Sequence, residues 1–138
     1  MSMKTADDIL KSVGSTAEFL FKEVTSVNQR SNFGDTPLHL TCSWGGDEAV
    51  DTLIKAGAEV NLRGEQGKTP LFSAVIGKSL KAIRILLDAH ADPTIVDDDG
   101  ITPAEFAMML REASSFDFQL IIDLLNDAGS KLQHPKKP

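Results

Sequence analysis

Three fragments of the sequence hold residue types that perform chemistry in other settings. Gly64-Glu65-Gln66-Gly67-Lys68-Thr69 has the ending of a phosphate-binding loop. That motif needs a glycine five residues before its Gly-Lys, so that backbone amides can cradle phosphate. Leu62 stands there, and no strand is expected before it, so nucleotide binding is not supported. Asp97-Asp98-Asp99-Gly100 has the start of a calcium loop. In that register the first ligand is Ile95 and the bidentate acid is Phe106, so the pattern fails. Asp98 and Asp99 read instead as a solvated hairpin tip. Cys42 lies three residues after His39, and a thiol beside an imidazole is the start of a nucleophilic pair. No orienting group or oxyanion loop accompanies it, and Cys42 sits in a small-residue packing position. We assign no catalytic residue, cofactor or metal ligand and expect no enzyme.

Composition narrows the class. The chain has 138 residues, of which 41% are hydrophobic and 25% charged, as in one folded domain. No stretch reaches the roughly 18 uncharged apolar residues of a membrane helix. Met1 to Leu10 carries two aspartates and no apolar block, unlike a secretory signal. A single cysteine excludes an internal disulfide framework and a multi-cysteine zinc site. It agrees with a reducing compartment, and a cytoplasmic location is expected. The net charge is −6, from 14 Lys and Arg against 20 Asp and Glu. Lys131, Lys136 and Lys137 lie in the last eight residues, so the body carries 11 against 20, or −9. Phosphates and anionic membranes repel such a body, and we expect neither nucleic acid nor membrane as a partner. A basic protein suits it better, unless the charge serves solubility alone.

The elements that hold these residues announce themselves by repetition. Gly34-Asp35-Thr36-Pro37-Leu38-His39 recurs as Gly67-Lys68-Thr69-Pro70-Leu71-Phe72 and as Gly100-Ile101-Thr102-Pro103-Ala104-Glu105, each 33 residues on. Leu53-Ile54 maps onto Leu86-Leu87, and backwards onto Leu20-Phe21. Val60-Asn61 maps onto Val27-Asn28. Thr-Pro is a helix start: the hydroxyl caps an orphan amide, and Pro at the first helical position lacks a donor that has no use there. The preceding Gly permits the positive φ of a tight turn. The first helix of each unit carries small residues, Thr41-Cys42 and then Ala74-Val75. The second carries Ala49, Val50, Leu53 and Ile54, then Ala82, Ile83, Leu86 and Leu87, one face of a 3.6-residue period. Gly57 ends a second helix in a left-handed cap. Its equivalent His90 must adopt that conformation or shift the turn.

By Gly34-Asp35-Thr36-Pro37-Leu38-His39-Leu40, by Ala56-Gly57-Ala58-Glu59-Val60-Asn61, and by their copies, the chain resembles the ankyrin repeat family over roughly residues 4 to 129. The resemblance implies an all-α solenoid of about four stacked helix–turn–helix units with hairpin fingers at right angles to them. The units are about 1–31, 32–64, 65–97 and 98–130, forming one domain over 1–130 with the first and last as caps. Residues 131–138 are expected to be a disordered basic tail, with fraying from Gly129. The resemblance also implies that the His39 ring hydrogen-bonds across its turn and packs between units. The first unit, Thr5 to Val27, lacks Thr-Pro and resembles a cap with a polar outer face. In the last, Thr102 stands 22 residues before Leu124, against 17 in the two units before it. Five extra residues are therefore expected near Arg111 to Asp117, as a longer helix and loop or as a partner-contacting bulge bearing Phe116 and Phe118.

A stack of this kind offers one rigid concave face. The resemblance places on it the tips Asn32, Phe33 and Asp35, then Glu65, Gln66 and Lys68, then Asp98, Asp99 and Ile101. From the first helices it adds Ser43 and Trp44, Ile76 and Gly77, Met109 and Leu110. Trp44 either packs on the next unit or anchors a partner; Phe33 either covers the N-terminal cap or does the same. The expected function is non-catalytic binding of one partner protein by a monomer. Two alternatives are an immunity-type inhibitor of a basic toxin enzyme, and a structural adaptor that self-assembles through Phe33, Phe116 and Phe118.

Overall fold

Thr-Pro signals, apolar faces and glycine turns decide where the chain is helical. A computed structural model describes residues 5–20 and 22–133. Among them are seven α-helices and no strand: α1 (Ala6–Gly14), α2 (Pro37–Ser43), α3 (Asp47–Lys55), α4 (Pro70–Ile76), α5 (Leu80–Asp88), α6 (Pro103–Ala113) and α7 (Gln119–Gln133). Thr36, Thr69 and Thr102 stand in extended conformation just before α2, α4 and α6, each followed by its proline. The second helices start differently. Asp47 and Glu48 face the positive end of the α3 dipole, and Lys55 its negative end. At α5 the Ser79 hydroxyl accepts the Ala82 amide at 3.0 Å. Gly57 ends α3 at φ 101°, and His90 takes the same left-handed turn at φ 71°.

The helices form two layers. α2, α4 and α6 lie side by side, and α3, α5 and α7 stack behind them. The back helices bury Ala49, Val50 and Leu53, then Ala82, Ile83 and Leu86, then Ile121, Ile122 and Leu125, while Ile54 and Leu87 are half-buried. In front, small residues bring backbones together. A Cβ on Gly77 would run into the carbonyl oxygen of Cys42. Thr41, Ala74 and Ala107, at the same offset in the three units, are all buried.

Both ends depart from the expected frame. The first unit is not a helix pair. After α1 the chain makes one 3-10 turn, Ala17–Phe19, and residues 22–25 are irregular. Leu20 therefore does not repeat the role of Leu53. It is exposed, while Phe19 is fully buried, and Phe21 lies outside the described residues. Lys22, Glu23, Val24 and Thr25 offer no apolar helical face to extend the turn. The cap reading of α1 fits, with Asp7, Asp8 and Lys11 exposed over buried Ile9, Leu10 and Val13.

In the last unit, α6 has 11 residues against the seven of α2 and α4. The buried triplet recurs at Ile121, Ile122 and Leu125, so Leu125 takes the place of Leu86. The insertion is six residues, one more than expected, with four in α6 and two in the following loop. Phe118 is fully buried and meets Phe116 edge to face at 4.7 Å. Phe118 is therefore core, not partner-contacting or self-association surface. α7 does not fray at Gly129: it runs through Gln133, with Lys131 and Asp127 paired at 3.1 Å. The expected tail over 131–138 thus begins inside α7, and its remainder, 134–138, lies outside the described residues.

Candidate functional site

Each finger is closed by one recurring bond. The amides of Ser31, Gly64 and Asp97 donate to the carbonyls of Asp35, Lys68 and Ile101, at 2.6, 2.7 and 2.9 Å. Further bonds lace the fingers into one edge. The Asn32 amide donates to the Glu18 carbonyl at 2.8 Å, and the Asp98 amide to the Gln66 carbonyl at 3.0 Å. The Glu65 amide donates to Asp35 Oδ1 at 2.9 Å. Arginines 33 residues apart add to this: Arg30 donates to the carbonyls of Gly34 and Arg63, and Arg63 donates to the Gly67 carbonyl and to Asp98. Asn28 and Asn61 repeat the scheme behind the fingers. Each side chain joins the helix-end turn of the following unit, through Gly57 and Glu59 and through His90 and Asp92.

The His39 ring spans two units. The Thr36 amide donates to Nδ1 at 3.0 Å, and Nε2 lies 3.0 Å from the Lys68 carbonyl. Nδ1 is therefore an acceptor, and the ring is neutral with its proton on Nε2. Burial holds its pKa below the ordinary imidazole range, outweighing the opposite pull of Asp35 and of its backbone bonds. Cys42 is fully buried, and burial pushes its thiol far up. Neither ring nitrogen is free to serve as a base, and the sulfur is withheld from solvent.

Where the first two fingers meet α4 and α6 there is a cleft of about 320 Å³, lined by Asp35, Glu65, Gln66, Lys68, Ser73, Ile76 and Phe106. Two of these, Asp35 and Glu65, bring carboxylate oxygens within 4.8 Å of each other and of one from Glu18. The Glu18 carboxyl is held above its usual range by partial burial and by the charges of Asp35 and Glu65, against a lowering bond from Ser31. Lys68 is committed elsewhere. Its ammonium lies 3.0 Å from Asp97, 3.1 Å from Gln66, and over the rings of Phe72 and Phe106. Asp97 is only 3% exposed. Burial raises its carboxyl, yet bonds from Ile101, Lys68 and Asp99 prevail and hold it below its usual range. Larger hollows, of about 520 Å³ beside α1 and 390 Å³ between α5 and α7, lie at the two ends of the stack.

The residues named from sequence fall into two groups. Asn32, Phe33, Trp44, Glu65, Gln66, Ile76, Asp98, Asp99 and Met109 are exposed. Asp35, Ser43 and Ile101 are half-buried and bonded inside the protein: Asp35 accepts the Glu65 amide of the next finger, the Ser43 hydroxyl donates to Leu40, and the Ile101 amide donates to Asp97. Lys68 differs from expectation, since its charge is balanced inside the protein by Asp97. Glu18, Ser73 and Phe106 were not foreseen. Ser73 and Phe106 share the 33-residue step with Leu40 and were legible by it. Glu18 had no such signal, because it lies in the unit without a Thr-Pro.

A family model described as "Ankyrin repeats (3 copies)" matches residues 10–97. The chain belongs to the ankyrin repeat family. No curated protein matches it. The match stops at the third finger, just before the unit that carries the six-residue insertion. Ankyrin repeats generally mediate protein–protein interaction and are typically non-catalytic. No helix among the described residues is long and apolar enough to cross a membrane.

Proposed function

We propose that this ankyrin domain is a non-catalytic module that holds a basic partner protein on its concave face, acting as a monomer. One observation carries the reading. Phe33, Trp44, Ile76 and Met109 are 57, 47, 48 and 54% exposed, although each is apolar and belongs to an otherwise ordered finger or first helix. Ile76 and Met109 hold the same place in consecutive units, and Trp44 caps the helix of the unit before them. Solvated apolar side chains of this kind, rimmed by Asp35, Glu65, Asp98 and Asp99, match the anatomy of an interface core with a polar rim. The laced fingers keep the surface rigid, so little ordering entropy is lost on binding. The acids steer a basic partner toward it.

The test is capture of a partner from the native host by the immobilised domain, followed by titration of that partner. Phe33→Ala with Trp44→Ala is expected to weaken binding by about 2 kcal/mol or more while leaving the helical content unchanged. A folded double variant with unaltered affinity refutes the assignment.

A further inference from the structure

We infer that the cleft between the first two fingers receives the side chain of a lysine or arginine that the partner inserts, a refinement that rests on the protein-binding reading above. The cleft has two chemically different parts. Its lining includes two apolar side chains, exposed Ile76 and half-buried Phe106. It also includes Asp35 and Glu65, whose carboxylate oxygens lie within 4.8 Å of each other and of one from Glu18. Three like charges at that separation repel, and a cation placed among them relieves the repulsion. The hydrogen bonds inside the protein leave room for it. Glu18 accepts from Ser31 and Asp35 from the Glu65 amide, each through one oxygen, so the second oxygen of each remains. The one cation in the lining, Lys68, is neutralised by Asp97.

The apolar lining selects among cations. A bare metal ion makes no use of Ile76 and Phe106, whereas an alkyl stem ending in a cation covers them and delivers its charge to the carboxylates. A charge-assisted hydrogen bond to carboxylate is among the stronger polar contacts available at a surface. The position also fits the row of apolar anchors. Ile76 belongs both to the cleft and to the exposed series with Met109, so a partner seated on that series brings its side chains to this opening.

The experiment uses the full chain, labelled with ¹⁵N, and n-butylguanidinium chloride as the probe. Sodium chloride, n-butanol and calcium chloride are titrated in parallel. The expected result is saturable amide shifts at Asp35, Glu65, Ile76 and Phe106 with the probe alone, weakened about fivefold or more in Asp35→Asn and in Glu65→Gln. Asn at position 35 keeps an oxygen for the Glu65 amide, and Glu65 is exposed, so an unperturbed spectrum marks a folded variant. Three outcomes overturn the inference: shifts elsewhere or nowhere, equal shifts with n-butanol, or calcium producing the same shifts and excluding the probe. Each leaves the protein-binding reading to the Phe33 and Trp44 variants, which lie outside the cleft lining.

Discussion

The third residue of each first helix is His39, Phe72 or Glu105, and its neighbour threonine fares differently in each case. His39 takes the Thr36 amide and hydroxyl, and Glu105 does the same for Thr102. Phe72 offers nothing, and the buried Thr69 hydroxyl is left without a partner. An unmade bond at a buried polar atom costs stability, and removing the atom removes that cost. Thr69→Val is therefore expected to be neutral or to stabilise by up to about 1 kcal/mol, while Thr102→Val destabilises by about 1 kcal/mol. Urea unfolding at neutral pH compares them. His39 also sets a pH dependence. Its folded pKa is depressed by burial, so the folded state prefers the neutral ring. Stability is then full above the ordinary imidazole range, about 6.5, and falls as pH drops below it toward the folded value. The urea midpoint is expected to decline between pH 7.5 and 5.5, and the decline to shrink in His39→Phe, which copies position 72. An unchanged pH slope in that variant contradicts the account.

At the scale of elements, the fingers depend on side chains that the repeat frame does not reveal. Gly-x-Thr-Pro and the apolar faces were enough to place α2 to α6 and their turns, while the left-handed His90 was one of two options they left open. They were not enough for the ends. Residues 17–25 keep the frame of Leu20 without the apolar face that a helix needs, and the six-residue insertion is divided between α6 and its loop in a way that only burial of Ile121, Ile122 and Leu125 fixes. The family resemblance placed Lys68 at a finger tip. Its burial partner Asp97 lies 29 residues away, a separation that the 33-residue step does not mark. Lys68→Met strips a buried carboxylate of its cation and is expected to destabilise by about 3 kcal/mol. Lys55→Met, which breaks the exposed pair with Asp51, is expected to cost about 0.5 kcal/mol or less. Chemical denaturation of the two variants side by side decides; equal losses contradict the assigned role of Lys68.

For the whole molecule, the candidate surface was legible in part. The repeat step placed Phe33 at a tip and Trp44, Ile76 and Met109 on first helices, and burial alone decided that all four are exposed. The acidic cluster of Glu18, Asp35 and Glu65 was not legible, because three residues without periodic relation meet only when the cap folds beside the first finger. A partner is proposed to meet the fingers and first helices, not the back layer of α3, α5 and α7. Hydrogen–deuterium exchange of the domain, with and without its captured partner, tests this most directly. Protection confined to 31–35, 64–68 and the C-terminal ends of α2, α4 and α6 is the expected result. Protection concentrated on α3, α5 and α7, with the fingers unchanged, contradicts it.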